Sequence, residues 1–234
     1  MGVKMANTQE KEFKQEHAVR RRKITRATLW LLVALLLGGS AWGLARITQK
    51  PSPREELLAA VTSKDWVKGR READVVLIEY GDFQCPACAV YFPLVAQLHQ
   101  EFGDKIAFVY RHFPLSQIHA QAELAARATE AAGKQGKFWE MHDRIFENQA
   151  NWAGQSSAGE MFLQYALALE LDPDKFKSDL ETEEVRERVR SDFQDGIKYG
   201  VNSTPTFFLN GKRVQPRTYG EFKNLIKQVL AGNS

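Results

Sequence analysis

The sequence predicts an α/β domain interrupted by a helical insertion and preceded by a single N-terminal transmembrane helix. Three observations lead there. First, the run "VVLIEY", Val75 to Tyr80, is β-branched and apolar on both faces, as a central strand covered on two sides must be. A helical pattern from Pro86 to about Phe102 follows it, then a second strand-like run, Ile106 to Phe113, giving a βαβ unit that is normally parallel and right-handed. Second, apolar residues recur at helical spacing from 114 to 198 before strand character returns in "TPTFFLNGKRVQ". Third, Ala27 to Ala45 is a stretch of 19 residues without a charge.

That stretch, taken with Arg46 as a 27–46 anchor, would span about 28 Å as a helix at about 1.5 Å per residue, close to the ~30 Å hydrocarbon core of a bilayer. It is longer than the apolar core of a cleaved signal peptide. Residues 1–26 carry eight Lys or Arg against three Glu, and the basic flank is denser before the span than after it. The positive-inside rule then leaves the arm in the cytoplasm and exports the C-terminal body, an expected inner-membrane, single-pass arrangement with an extracytoplasmic or periplasmic domain. Outside the arm, 24 basic residues face 26 acidic ones, so no basic surface for nucleic acid is expected.

Residues 47–69, with Pro51, Pro53 and the charged helical pattern "REELLAAVTSKDWV", read as a stalk. The α/β core is assigned to 70–113 and 199–234, and the helical domain to 114–198, with four or five helices between breaks at Gly133, Gly136, Gly154 and Asp172-Pro173. Ser157 to Glu160 and Thr218 to Glu221 have the form of capping boxes. Val185, Val189, Phe193 and Ile197 form an i, i+4 stripe, and Phe138, Trp139, Met141 and His142 read as core rather than a cofactor pocket. Asn210-Gly211 predicts a hairpin turn.

The chain has two cysteines, Cys85 and Cys88, at the junction of the first strand and its helix. With Pro86 at the first helical position, Cys85 falls at the N-cap, where free N–H groups and the helix dipole favour thiolate over thiol. Cys88, one turn on, faces the protein. A disulfide between them closes so short a loop that it adds little chain-entropy stabilisation, so a staple is a poor reason for it. A zinc site lacks a second CxxC or an H-x3-5-H pair among the five histidines, so no metal is expected. In redox chemistry Cys85 attacks, Cys88 resolves, and no cofactor beyond their own disulfide is required.

Two further residues fit. Thr204-Pro205 stands just before a strand, where a cis bond would leave backbone groups free to pair with an incoming chain. Glu79 interrupts the central strand six residues before Cys85, where a buried carboxylate is costly unless it exchanges protons, and it is assigned the proton of Cys88.

Together "VVLIEYGDFQCPACA", "FVYRHFPL", "EAAGKQGKFWEMHDRIFENQ" and "GVNSTPTFFLNGKRV" resemble the DsbA-like thiol:disulfide oxidoreductases, thioredoxin-fold proteins with an inserted helical domain. The resemblance implies that Cys85 is the nucleophile, Cys88 the resolving thiol, Pro205 a cis proline and Glu79 the buried acid. Thr204, Pro205, Pro86 and Ala87 would meet the substrate. It also implies unfolded exported proteins as substrates and a membrane quinone-linked thiol oxidase as the re-oxidising partner. The dipeptide Pro86-Ala87 lacks the histidine of the best-known oxidase, which argues for a weaker oxidant. The span from reducing to oxidising members is about 150 mV, roughly 7 kcal/mol for two electrons. Oxidase leads; reductase or isomerase, and a thiol-based metal-binding or chaperone module, are the alternatives.

Overall fold

The structure, a computed structural model, describes residues 61–232. The basic arm and the expected 27–46 anchor lie outside them; among the described residues no helix is long and apolar enough to cross a membrane. A five-stranded sheet runs in the order β1-β3-β2-β4-β5, with β1 at Trp66–Gly69, β2 at Val75–Gly81, β3 at Ile106–His112, β4 at Thr206–Leu209 and β5 at Lys212–Val214. β2 and β3 pair in parallel from Val75↔Ile106 to Gly81↔His112, joined by helix α1 (Pro86–Phe102). β4 and β5 add antiparallel on the other side. Their turn places Asn210 at φ 45° and Gly211 at φ 78°, the two left-handed positions that favour Asn-Gly.

β2 is buried throughout, and its side chains alternate between two cores. Val75 and Leu77 join Leu98, Phe102 and the helical insertion on one face; Val76, Ile78 and Tyr80 join Val109, Phe113 and Phe208 on the other. Glu79 shares the pleat direction of Val75 and Leu77, so its carboxylate lies on the side of α1.

The insertion contains six helices: α2 (Ala122–Gly133), α3 (Phe138–Glu147), α4 (Gln149–Trp152), α5 (Ala158–Ala168), α6 (Pro173–Leu180) and α7 (Glu183–Lys198). The sequence pattern predicts four or five, because α4 is a single turn held by Trp152, whose indole N–H donates to the Ile145 carbonyl at 2.8 Å. Phe138, Met141 and His142 are buried as expected of core. α8 (Tyr219–Gly232) closes the domain, its start capped by the Thr218 hydroxyl, which accepts from the Glu221 N–H at 3.2 Å. Ser157 does not cap α5, because its backbone (φ −87°, ψ 14°) departs from the extended N-cap conformation.

The boundary expected at 69–70 moves. Trp66–Gly69 are an edge strand antiparallel to β3, not part of a stalk. Side chains of that strand alternate: Trp66 stacks on Phe138 at 4.8 Å between centroids and donates to Glu130 at 2.9 Å, Lys68 pairs with Asp143, and Val67 packs on the opposite core. Gly133 is needed for this contact, since a Cβ there would stand 2.5 Å from the Trp66 ring.

Just before β1, Asp65 receives both arms of Arg111 at 2.9 Å. Burial pushes the Asp65 carboxyl up, but the Arg111 guanidinium and the Thr62 N–H and hydroxyl bring it below the ordinary 3.8. A carboxylate so depressed stabilises the fold above about pH 3.8 and loses that contribution as pH falls through its lower folded value. Asp65→Ala removes the carboxylate partner of a buried guanidinium and is expected to cost about 3–5 kcal/mol, read from urea midpoints at neutral pH. A loss below 1 kcal/mol would show the pair to be structurally idle.

Candidate active site

β2 ends at Gly81, and the chain turns through Asp82, Phe83 and Gln84 to reach Cys85, the N-cap of α1, with Pro86 at its first position. A Cβ at Gly81 would stand 2.6 Å from the Tyr110 hydroxyl, so only glycine lets that ring lie under the turn. The turn is tied by Asp82. The Asp82 carboxylate accepts from the N–H of Gln84 at 2.7 Å and of Leu115 at 2.9 Å, and it meets His119 Nδ1 at 2.6 Å. The Asp82 carbonyl accepts the Cys85 N–H at 3.1 Å, and its own N–H points at Cys88 Sγ, 3.5 Å away. From α4, Gln149 donates to the Phe83 and Cys85 carbonyls at 2.7 and 2.9 Å.

Both cysteines are free thiols, and they differ in access: Cys85 keeps 7% of its surface, Cys88 none. The Thr204-Pro205 peptide bond is cis, and the Cys85 thiol donates to the Thr204 carbonyl at 3.4 Å. Pro86 and Ala87 are exposed and Thr204 and Pro205 half-buried, so four of the expected substrate-facing residues surround the accessible sulfur.

Electrostatics separate the two sulfurs. The Cys85 thiol is lowered to about 5, chiefly because Cys88 hydrogen bonds to its anion. Burial opposes this; the Thr204 side chain and the N–H groups of Cys88 and Ala87 assist. The sequence argument credits the helix end; in the structure the hydrogen bond from the Cys88 side chain is the largest single cause, and the helix-end N–H groups add to it. Burial pushes Cys88 well above the ordinary thiol range, helped by its bond to Cys85 and the charge of Glu79. Glu79, paired in register with Tyr110 and Phe207, is buried, and burial with the nearby Cys85 charge raises it to about 8. One thiol is thus poised as an anion and the other as a neutral acid, beside a carboxyl that is protonated at neutral pH. Among the described residues no cluster of His, Cys, Asp or Glu could hold a metal ion.

Asp82, Gly81, Gln149 and His119 escape sequence reasoning: each acts through a turn or a contact tens of residues away. The dipeptide Gly81-Asp82 ahead of the first cysteine is the one local signal of a tight strand-to-helix turn.

Comparison with known proteins agrees with this geometry. A family model described as Thioredoxin matches residues 61–228, and the chain belongs to that thioredoxin family. Its structural neighbours are DsbA-like thiol-disulfide oxidoreductases. It is similar to oxidised BdbD from Bacillus subtilis (26% identity, TM-score 0.64, 72% of this chain and 94% of that one). It shares the fold of α-DsbA1 from Wolbachia pipientis (21% identity, TM-score 0.65, 76% and 96%). It is also 38% identical over 192 residues to the Na+/H+ antiporter NhaA 1 of Mycobacterium sp. strain KMS, covering 78% of this chain but 30% of that longer protein.

Alkylation of Cys85 in the reduced protein is expected to follow a titration centred near pH 5. Cys88→Ala, which removes the hydrogen bond to the anion, is expected to move that midpoint upward; an unmoved midpoint would assign the depression to the helix end instead.

Proposed function

We propose that the protein donates its Cys85–Cys88 disulfide to folding exported proteins, tethered to the inner membrane through residues 27–46. The carrying observation is the split between the sulfurs: an accessible Cys85 held near pKa 5 beside a sealed Cys88 held far higher. A client thiolate attacks Cys85 Sγ and forms a mixed disulfide, the Cys85–Cys88 bond breaks, and the electron pair leaves on Cys88, which takes the proton of Glu79. A second client thiolate then attacks the client sulfur and expels Cys85 as a stable thiolate. The client gains a disulfide and the enzyme is left reduced, to be re-oxidised by a membrane quinone-linked thiol oxidase.

A Cys85 near 5 lies between the ~7 of thioredoxin and the ~3.5 of DsbA, which supports an oxidant of intermediate strength despite Pro86-Ala87. Unfolded clients suit the groove of about 670 Å³ that ends at Asn202 and is lined by Phe113, Leu115, Ile118, Val189 and Phe193 together with Glu123, Arg186 and Arg190. Ile118 is 74% exposed there. Transport in the antiporter relatives belongs to chains of which this one spans about a third.

Cys88→Ser is expected to accumulate mixed disulfides with client proteins and Cys85→Ser to accumulate none; the reverse pattern would exchange the roles. Equilibration with glutathione should give a potential between about −270 and −120 mV, closer to the oxidising end. A value at the thioredoxin end would establish the reductase reading. Because the Cys85 thiolate stabilises only the reduced fold, the reduced protein should melt above the oxidised one at pH 7. That stabilisation is full above about pH 9 and lost as pH falls through about 5, so the gap in Tm should close there.

A further inference from the structure

Beneath α1, on the side of the sheet that carries Glu79, lies a cavity of about 10 Å³, the space of one water molecule. Glu79 lines it from β2, His99 from α1, Lys68 from β1, and His142 and Asp143 from α3. His142 is 4% exposed. The Nδ1 of His142 meets the Asp143 carboxylate at 2.8 Å, while Nε2 is buried with no hydrogen-bond partner in the protein. The other Asp143 oxygen pairs with Lys68 Nζ at 2.9 Å, and both of those side chains reach the surface, 32% and 28% exposed. Carboxyl, water-sized space, imidazole, carboxylate and ammonium thus run in sequence from the redox pair to bulk solvent.

We propose that His142 is the proton-relay residue of the enzyme: a water in this cavity, bound to His142 Nε2, carries protons between Glu79 and the surface pair Asp143–Lys68. The proposal rests on the reading of Glu79 as the acid that serves Cys88. When the disulfide opens, the Cys88 thiolate takes the Glu79 proton, and the Glu79 carboxylate recovers one from the cavity water. The water is recharged by Nε2–H of His142 while Nδ1 takes a proton that solvent delivers through Asp143, so the sum is one proton taken from solvent per disulfide opened and the ring is left as the Nδ1–H tautomer. Re-oxidation runs the path outward, water to Nε2 and Nδ1–H to Asp143, and restores the Nε2–H tautomer.

The surroundings suit a relay rather than a fixed charge. Burial holds the imidazole below its ordinary 6.5; Asp143 opposes that, while Lys68 and His112 favour the neutral ring. In the reduced state Nδ1–H is donated to Asp143 and Nε2 offers a lone pair to water, the tautomer that carries a proton outward; the oxidised state needs the Nε2–H tautomer. The Tyr110 ring, 4.7 Å away between centroids, and Phe92 and Phe146 close the remaining sides. His99, with Nδ1 also unpartnered, faces the same cavity from α1. A histidine that only filled core would need no unpartnered polar nitrogen beside a water-sized space.

The test is stopped-flow reduction of the Cys85–Cys88 disulfide in the full chain by a small dithiol, as a function of pH and in light and heavy water. Glu79→Gln, His142→Gln, the double variant and the surface variant Asp143→Asn are compared, with thermal melts alongside. Glu79→Gln and His142→Gln are each expected to slow reduction at pH 7 by about a hundredfold, the low end of general acid–base contributions. The double variant should be no slower than either single, because both interrupt one path. Asp143→Asn should shift the pH profile without a change in Tm, and imidazole added to His142→Ala should restore part of the rate. Wild-type rate and pH profile in His142→Gln, with Glu79→Gln slow, overturn the relay and leave the Glu79 reading standing. Wild-type rates in both remove Glu79 from the chemistry and the relay with it. Multiplicative losses in the double variant also overturn the relay, since they place the two residues on separate routes.

Discussion

A negative sulfur set over a buried acid is the constraint around which the domain is arranged. Cys88 donates to the Cys85 anion, the largest single contribution holding the thiolate, and the N–H groups of Cys88 and Ala87 at the end of α1 add to it. Burial keeps Cys88, and Glu79 near it, in their neutral forms. Low dielectric therefore acts in opposite directions over one helical turn. It raises two acids while a third, at the surface of the same cluster, is lowered by its contact with one of them.

Holding that contrast requires a turn that does not shift, and the fold supplies it from several directions. Asp82 ties the turn to itself and to the segment that enters the helical insertion, through Leu115 and His119. Gln149, at the far side of the insertion, grips the carbonyls of Phe83 and Cys85. The insertion is thus more than a cap: two of its segments fix the backbone on which the nucleophile sits. β1 extends the same scheme, because Trp66 and Lys68 dock α2 and α3 against the sheet edge.

Much of this was legible in the chain. β2, α1, β3 and the final hairpin follow from apolar alternation, Pro86 and Asn210-Gly211, because local patterns determine them. Cys85 at the N-cap and Cys88 inside follow from their positions relative to those elements, whereas Pro205 beside Cys85 follows from the family resemblance. Glu79 was legible as an anomaly, a carboxylate in an apolar strand. β1 was not, because three alternating residues after a helical-looking run read as its tail; only Phe138 and Glu130, more than sixty positions on, show what Trp66 is for. Asp82 and Gln149 were hidden for the same reason: their partners are backbone groups from distant segments, which leave no periodicity in the sequence. Ser157 shows the converse, a motif present in the letters whose backbone takes another conformation.

The unequal accessibility of the two sulfurs has an evolutionary corollary. A partner can approach only the outer one, so the order of bond exchange is imposed by shape, whereas the driving force is adjustable through the solvent-facing pair between them, Pro86 and Ala87. Sequence and thermodynamics of electron flow are thereby uncoupled: substitutions on the rim can retune one lineage toward donating bonds and another toward removing them while the itinerary of each encounter stays the same.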